Sequence, residues 1–158
     1  MTPEKPLLID DIGEMLMESD LFNKFPPAEI QSAARYFSVS KIKKGETIFK
    51  EGDAGIFMCI VNFGNVSVLK ANMEEEIVEI ATLRKGRAFG EMAVLDGERR
   101  SATCVAATDC TLLTLTKDSL DRMLTEVPRT AAKVIRAIAV SLSKRLRMAD
   151  GKLVDHQI

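Results

Sequence analysis

Six glycines divide the middle of the chain into short segments, and their spacing limits the folds available to it. Within the segments apolar and polar residues alternate, as in Val66-Ser67-Val68 and Leu113-Thr114-Leu115. A period of two is typical of strands with one buried face, and glycine suits the turns between short strands. The pattern therefore predicts a barrel of short strands. The six glycines are Gly45, Gly52, Gly55, Gly64, Gly86 and Gly97.

Helical patterns flank the predicted barrel, which we place at residues 37–117 of a single domain of 158 residues. Residues 1–36 form a helical segment with a break at Ser19-Asp20 and a second helix starting after Pro26. Residues 118–158 hold a short helix, followed after Pro128 by a long helix over about residues 129–149. The first helix carries a narrow apolar stripe of Leu8, Ile12, Met15 and Leu16.

The long helix has an apolar stripe with two interpretations. Its residues recur at steps of three and four, over fewer heptads than a self-sufficient coiled coil normally shows. The stripe either packs on the chain's own barrel or pairs with the same helix of a second copy. Basic residues on the same helix are expected to be solvated. The stripe consists of Ala131, Ile135, Ile138, Leu142 and Ala149, with Leu146 or Arg145 between the last two, and the basic residues are Arg129, Lys133, Arg136, Lys144, Arg145 and Arg147.

Residues 89–104 combine the residue types that bind a sugar phosphate. Gly90 lets backbone N–H groups approach an anion, and the first turn of a helix points several such groups in one direction. Arg100 offers a planar, permanently charged group that suits phosphate. Glu91 accepts hydrogen bonds from sugar hydroxyls. Together they indicate a nucleotide held through its phosphate and ribose.

This segment resembles the phosphate-binding cassette of cyclic nucleotide-binding domains, the family of bacterial catabolite activator proteins and protein kinase A regulatory subunits. The shared pattern is Phe-Gly-Glu-x-Ala and, after a variable stretch, Arg-Ser-Ala-Thr. The similarity covers about residues 20–149 and includes Gly45-Glu46-Thr47-Ile48-Phe49 at the barrel entry. It implies a mainly β fold with flanking helices: a double-stranded β-helix (jelly-roll) barrel with N-terminal helices and a long C-terminal helix.

The same resemblance assigns roles to individual residues. It implies that Arg100 binds the cyclic phosphate and Glu91 the ribose 2′-hydroxyl, with backbone N–H groups of residues 90–93 and the Ser101 hydroxyl completing the anion site. Arg99 is an alternative phosphate ligand, although only Arg100 precedes the Ser-Ala-Thr run. The predicted ligand-binding residues are Phe89, Gly90, Glu91, Met92, Ala93, Arg100, Ser101, Ala102 and Asp150.

The sequence constrains the base of the expected nucleotide less than it constrains the sugar and the phosphate. In the catabolite activator protein a Thr-Ser pair near the end of the long helix contacts adenine, and Ala149-Asp150 stands at the matching place. A carboxylate accepts hydrogen bonds from guanine N–H groups or from the adenine amine. Ser101 resembles a hydroxyl position that the family links to cGMP. We expect cAMP as the ligand, with cGMP as an open alternative, and no cofactor.

Several other classes of site are disfavoured. Three cysteines without C-x-x-C spacing argue against disulfides and zinc, so we expect Cys59, Cys104 and Cys110 to be buried as small hydrophobes. The single histidine, His156, is expected in a solvated tail, which leaves no catalytic triad and no metal site. We therefore expect no enzyme activity. The acidic run Glu74-Glu75-Glu76 is expected at an exposed hairpin tip.

The net charge and hydropathy of the chain argue against nucleic acids and membranes as partners. A formal net charge of −1 argues against a dedicated nucleic-acid binder, and no recognition helix fits after residue 150. No apolar run approaches the roughly 20 residues of a membrane span. Without a signal-peptide pattern at its start, the chain is expected in the cytoplasm.

The sequence thus predicts a cyclic nucleotide receptor that signals through movement of its terminal helices. We expect a homodimer through the long helix and an effector protein of unknown identity. The alternative is a barrel without a ligand response, acting as a dimerisation or docking module.

Overall fold

The computed structural model describes residues 8–157, with side chains up to Gly151. Two helices precede eight strands, one short helix interrupts the strands, and two helices follow them. This order confirms the predicted mainly β fold with flanking helices. The elements are α1 (Ile9–Met17), α2 (Pro27–Ala34), β1 (Ser38–Ile42), β2 (Thr47–Phe49), β3 (Phe57–Phe63), β4 (Val66–Ala71), β5 (Ile77–Leu83), β6 (Ala88–Phe89), α3 (Glu91–Asp96), β7 (Thr103–Ala106), β8 (Cys110–Thr116), α4 (Lys117–Glu126) and α5 (Pro128–Gln157).

Two antiparallel four-stranded sheets build the barrel. One sheet has the order β1–β8–β3–β6 and the other β2–β7–β4–β5. Because most connections cross from one sheet to the other, the chain winds around a shared interior as a jelly roll. The central strand β8 pairs with β1, where Ser40 lies opposite Leu112, and with β3, where Ile60 lies opposite Leu113.

Strand β8 is buried on both faces. Leu112 points into a barrel core shared with Val61 of β3, whereas Leu113 points into a second core beneath the helices. The alternation of leucine and threonine predicts one buried face and misses the burial of Leu112, because both faces of this sheet are covered. The second core, called the helix-side core below, includes Leu16, Phe22, Ile60, Leu115, Met123 and Ile138.

The N-terminal helices close the helix-side core. Ser19 ends α1 as predicted: its hydroxyl donates to the Leu16 carbonyl at 2.6 Å and accepts from the Phe22 N–H at 3.2 Å. These bonds turn the chain so that the Phe22 ring packs edge-on to Phe37, with their centroids 5.7 Å apart. Helix α2 begins at Pro27, where a missing N–H costs no helical hydrogen bond.

Helix α5 packs its apolar stripe on the chain's own barrel. Ala131 and Ile138 are buried in the helix-side core, and Ile135 and Leu142 pack against it. For these four residues the stripe therefore packs within the chain and does not pair with a second copy. Ala149 is exposed. The helix also continues to Gln157, past the predicted end near residue 149, because Gly151 stays within the helix instead of terminating it. His156 lies outside the residues whose side chains are described.

The β4–β5 hairpin ends in the acidic tip that the sequence predicts. The Asn72 side chain accepts hydrogen bonds from the backbone N–H groups of Glu74 and Glu76, each at 2.9 Å. Glu75 adopts a φ of 63° at the turn, a conformation that costs most residues free energy and is stabilised here by the Asn72 bonds. The three glutamates are exposed.

The three cysteines are free and buried in β3, β7 and β8, as expected of small apolar residues. Burial raises the pKa of the Cys59 thiol and that of the Cys104 thiol to about 12. Both thiols are therefore protonated at neutral pH and serve as packing groups in the barrel core.

Candidate functional site

A left-handed glycine sets the geometry of the site. Gly90 follows β6 with φ 74° and ψ 10° and precedes α3, whose first residue is Glu91. A Cβ atom at residue 90 would lie 2.6 Å from Nη1 of Arg100. The backbone conformation therefore favours glycine at this position, and the close approach of the arginine restricts the position further.

Arg100 is a buried cation held by the barrel rather than by an acid. Its side chain is 5% exposed, and it donates from Nη1 to the Gly90 carbonyl at 3.0 Å and from Nη2 to the Phe57 carbonyl at 2.5 Å. Its Cζ lies 3.8 Å from the centroid of the Phe49 ring and 4.7 Å from that of Phe57. Cation–π contacts of this kind stabilise a guanidinium without neutralising it.

Burial leaves the charge of Arg100 uncompensated. Desolvation lowers the pKa of the guanidinium below its usual value, although an arginine stays protonated in proteins. Within residues 8–151 no carboxylate forms an ion pair with Arg100, and its Nε has no hydrogen-bond partner there. A buried cation of this kind is costly unless an anion reaches it.

Glu91 supplies a second buried charge, which α5 compensates. Its side chain is 2% exposed, and one carboxylate oxygen pairs with Arg145 of α5. The other oxygen, Oε2, has no hydrogen-bond partner among the described residues. Burial lowers the pKa of Arg145, and the neighbouring Arg87 lowers it further. The Glu91 carboxylate therefore links the short helix α3 to the long helix α5.

These groups surround a cavity of about 290 Å³, near the lower end of the roughly 300–1,000 Å³ typical of small-molecule sites. Phe89, Leu83 and Val68 form apolar walls, while Glu91 and Arg100 place opposite charges on its lining. The Ser101 residue lies at the rim, where its carbonyl accepts from Lys70 Nζ at 2.9 Å. An anion with an attached polar ring matches such a lining better than a neutral apolar molecule does.

The structure brings eight of the nine predicted site residues together on this cavity: Phe89, Gly90, Glu91, Met92, Ala93, Arg100, Ser101 and Ala102. Asp150 is not among the lining residues and is exposed on α5. Of the two adjacent arginines, Arg99 also borders the cavity but is exposed and donates to the Gly52 carbonyl at 2.8 Å. Arg100 is the one that turns inward.

The sequence did not assign four residues that complete the site. Phe49 and Phe57 both contact the Arg100 guanidinium, and Leu142 and Arg145 reach the cavity from α5. Arg145 lies in the basic run of α5, and a run of basic residues on a helix is equally typical of a solvated face. Only its contact with Glu91 separates it from its neighbours.

Comparison with known proteins decides the family. The family model for the cyclic nucleotide-binding domain matches residues 39–127, which is more than half of the chain. The chain belongs to the cyclic nucleotide-binding domain family. The match begins in β1 and ends just after α4, so it covers the strands and the cassette that line the cavity but not Leu142 and Arg145 of α5.

Named relatives place this cyclic nucleotide-binding domain among regulatory proteins. It is 33% identical over 135 residues to the cyclic AMP receptor protein of Thermus thermophilus, covering 85% of this chain and 61% of the relative. It is 35% identical over 120 residues to a cyclic nucleotide-gated potassium channel of Mesorhizobium japonicum, covering 76% of this chain and 32% of the channel. The chain thus spans less than two thirds of these relatives.

A solved structure agrees with the fold. The crystal structure of a cyclic nucleotide-binding domain from Methylobacillus flagellatus superposes with a TM-score of 0.81 at 27% sequence identity, covering 95% of this chain and 84% of that one. Among the described residues, no group of three or more metal-binding side chains occurs. No helix in the described part is long and apolar enough to cross a membrane.

Proposed function

We propose that the chain is a receptor for a cyclic mononucleotide, cAMP or cGMP, and that it regulates a partner without enzymatic activity. The observation that carries the proposal is Arg100, a buried arginine that has no ion-pair partner among the described residues and lies on the wall of a cavity of suitable size. A cyclic phosphate has one negative charge and would neutralise this cation. A charge-assisted contact of this kind contributes about 1.5–3 kcal/mol.

In the proposed complex the phosphate lies against Arg100 and the backbone N–H groups that begin α3, with the Ser101 hydroxyl as a further donor. The ribose 2′-hydroxyl donates to Glu91, whose Oε2 is without a partner in the described residues. Glu91 and Arg100 lie nine residues apart in sequence and border the same cavity. The remaining lining residues of the cassette, Phe89, Met92, Ala93 and Ala102, would pack against the sugar and base.

The choice between cAMP and cGMP rests on relatives and on two side chains. The Thermus relative is a cyclic AMP receptor protein, and a Toxoplasma gondii relative, 30% identical over 138 residues, is a cGMP-dependent protein kinase. Ser101 at the cavity rim and Asp150 on α5 are the proposed base-selective groups. We favour cAMP, with Asp150 as a contact that requires the end of α5 to approach the ligand.

The proposed signal is a change in the position of α5. Arg145 pairs with one oxygen of Glu91, so a ribose hydroxyl competes for the same carboxylate. A ligand that weakens this ion pair favours arrangements of α5 in which Arg145 is released, and only such differential affinity moves an equilibrium. The Arg145–Glu91 pair is therefore the proposed connection between ligand and terminal helix.

We also propose a homodimer through α5, on a flank different from the buried stripe. Exposed residues recur there at steps of seven and three or four: Ala132, Ala139, Ser143 and Leu146. Leu146 is 64% exposed, and small residues beside it allow two helices to approach closely. Asp150 follows Leu146 by four residues and shares this flank. An effector protein and a cytoplasmic location remain part of the proposal.

Thermal unfolding with a panel of nucleotides tests the receptor. A ligand at about 100 times its dissociation constant stabilises the folded state by about 2.7 kcal/mol, which is about 5–10 °C for a domain of this size. We expect this shift with cAMP or cGMP and none with 5′-AMP, whose phosphate carries a second negative charge and lacks the ring closure. No shift with any cyclic nucleotide at millimolar concentration would favour the alternative of a docking module without ligand response.

A further inference from the structure

A second and larger cavity runs along α5. It encloses about 760 Å³ between α5 and residues 20–29, which belong to the connection from α1 to α2 and to the start of α2. We call it the basic groove and define it by Lys24, Lys133, Arg136 and Lys144 on its rim. Arg87 and Arg145 line both the basic groove and the nucleotide cavity. The two spaces therefore adjoin, although the proposed receptor function does not use the groove.

The charge of the basic groove is unbalanced. Its lining contains two carboxylates, Asp20 and Glu29. Glu29 is engaged by Lys133, and the Arg145 charge is engaged by Glu91. The four remaining cations then face the single carboxylate of Asp20, and no ion pair compensates them within the described residues. These four are Lys24, Arg87, Arg136 and Lys144.

The floor of the groove is apolar. Leu21, Phe25 and Pro26 form one side, and Ala137, Val140 and Met148 of α5 form the other. Val140 is 45% exposed and Met148 63% exposed, so apolar surface is open to solvent beneath a cationic rim. From Lys133 to Met148 the α5 side of the groove extends about 22 Å at about 1.5 Å per residue.

We propose that the basic groove binds an acidic amphipathic helix of a different protein. A helix of about four turns matches the length of the groove, its apolar stripe would cover the floor, and flanking Asp or Glu residues would meet the rim. The bound helix would contact both α5 and residues 20–29, so this partner would be the effector.

Other occupants fit the groove less well. A nucleic acid would place phosphates on the rim but leave the apolar floor uncovered. In a second copy, the acidic helix α1 already buries its apolar side, including Ile12 and Leu16, in its own core. The acidic tip at Glu74–Glu76 is a tight turn and is too short for a groove of this length. A separate helical segment satisfies both the charge and the apolar surface.

Arg145 couples the groove to the nucleotide, a step that rests on the proposed receptor function. When a ribose hydroxyl takes Glu91, the Arg145 charge is no longer engaged there and adds to the groove that it also lines. Nucleotide should therefore strengthen binding of the acidic helix. By linkage, the helix must strengthen nucleotide binding by the same factor.

A designed peptide tests the groove directly. The probe is a fluorescein-labelled helix of about four turns, with leucine on one face and glutamate on the flanks, and its control is a scrambled peptide of the same composition. Fluorescence anisotropy with the full chain at physiological salt should show the patterned peptide binding at least about tenfold more tightly than the scrambled one. Addition of cAMP should raise that affinity by about fivefold.

Matched variants assign the effect to the groove. Lys24→Glu with Lys144→Glu should weaken peptide binding by about tenfold or more, while calorimetry shows unchanged cAMP affinity in the absence of peptide. The control pair, Lys43→Glu with Lys50→Glu, makes the same charge change at exposed positions outside the groove and should retain peptide binding. Arg145→Gln should remove the response of peptide binding to cAMP, measured as the ratio of the peptide affinities with and without the nucleotide.

Three outcomes overturn the proposal that an acidic helix occupies the groove, and two further outcomes decide its coupling to the nucleotide. Equal binding of the patterned and the scrambled peptide would mean that the groove attracts acidic peptides only through general electrostatics. A single-stranded oligonucleotide that displaces the peptide and discriminates the variants would make the groove a nucleic-acid site. Sedimentation showing self-association that the Lys24/Lys144 variant abolishes would make a second copy the occupant. Peptide binding unaffected by bound cAMP would remove the coupling, whereas failure of cAMP to bind would overturn the receptor function and leave peptide binding to be judged alone.

Discussion

The nucleotide cavity and the basic groove both present arginine or lysine to an anion, but they bury these charges to different degrees. Arg100 is 5% exposed and contacts two phenylalanine rings, whereas Lys24 and Lys144 are exposed on the groove rim. A buried charge costs free energy in the empty protein, so neutralising it gives a strong and selective interaction. Exposed charges cost little and individually contribute little. The barrel therefore suits one small ligand, and the groove suits a surface of many weak contacts.

The most severe test of the role of burial is to replace each of the two neighbouring arginines of the cassette, in turn, by alanine. Arg100→Ala should weaken cAMP binding by on the order of 100-fold, corresponding to about 3 kcal/mol, because the phosphate loses its buried cation. The fold should be retained, since the same change removes an uncompensated charge. Titration calorimetry measures the affinity, and circular dichroism checks the fold.

Arg99→Ala is the matched control for that experiment. Arg99 is exposed and bonded to the Gly52 carbonyl, so we expect less than about a twofold change in affinity. A larger loss in Arg99→Ala than in Arg100→Ala would move the phosphate to the exposed arginine and reverse the comparison.

Glu91→Gln tests the second buried charge. The amide keeps the shape of the carboxylate but loses its charge, so both the ribose contact and the ion pair with Arg145 weaken. We expect cAMP affinity to fall by about tenfold, or about 1.4 kcal/mol, and calorimetry with the purified variant measures it. An affinity above that of the wild type would mean that the cost of displacing Arg145 exceeds the value of the ribose hydrogen bond.

Salt distinguishes the two regions without mutation. Ions screen the exposed groove cations, because the Debye length falls from about 10 Å at 0.1 M to about 3 Å at 1 M. Binding of the acidic peptide should weaken by about fivefold or more over this range, whereas cAMP binding should change by less than about threefold, since Arg100 is shielded from solvent ions. Anisotropy and calorimetry on the same samples report both affinities. Equal salt dependence would place the nucleotide phosphate at the surface.

The smallest effect is expected at Asp150. Asp150→Ala should alter the ratio of cAMP to cGMP affinity by about two- to threefold, because this carboxylate is exposed and outside the lining of the cavity in the single chain. Competition of the two nucleotides against one fluorescent analogue gives the ratio. A ratio identical to that of the wild type would leave Ser101 as the remaining base-selective candidate.

Local sequence patterns were enough to predict most of the fold and the residues proposed to bind the phosphate. Glycine spacing and alternation predicted the barrel, and the order Arg99-Arg100-Ser101 identified which arginine turns inward. The proposed roles of Glu91 and Arg100 are still predictions, yet their placement on one cavity followed from ten residues of contiguous sequence.

Contacts between distant elements were harder to predict. Arg145 meets Glu91 across 54 positions of sequence only because α5 folds back over α3, and nothing in the basic run of α5 separates it from Lys144 or Arg147. The basic groove likewise arises where residues 20–29 meet α5. Helical periodicity gives the faces of α5 but not the element that each face meets.

The close approach of Arg100 to Gly90 ties two sequence positions together. A φ of 74° by itself admits asparagine at a modest cost, so the arginine, 2.6 Å from the missing Cβ, is what restricts this position further. A relative that has exchanged the arginine for a short side chain is released from that restriction and is free to acquire a side chain at the glycine. A side chain at the position of Gly90 would therefore indicate that the barrel has lost its buried cation. A joint change at the positions of Gly90 and Arg100 would indicate a relative that no longer binds the anion.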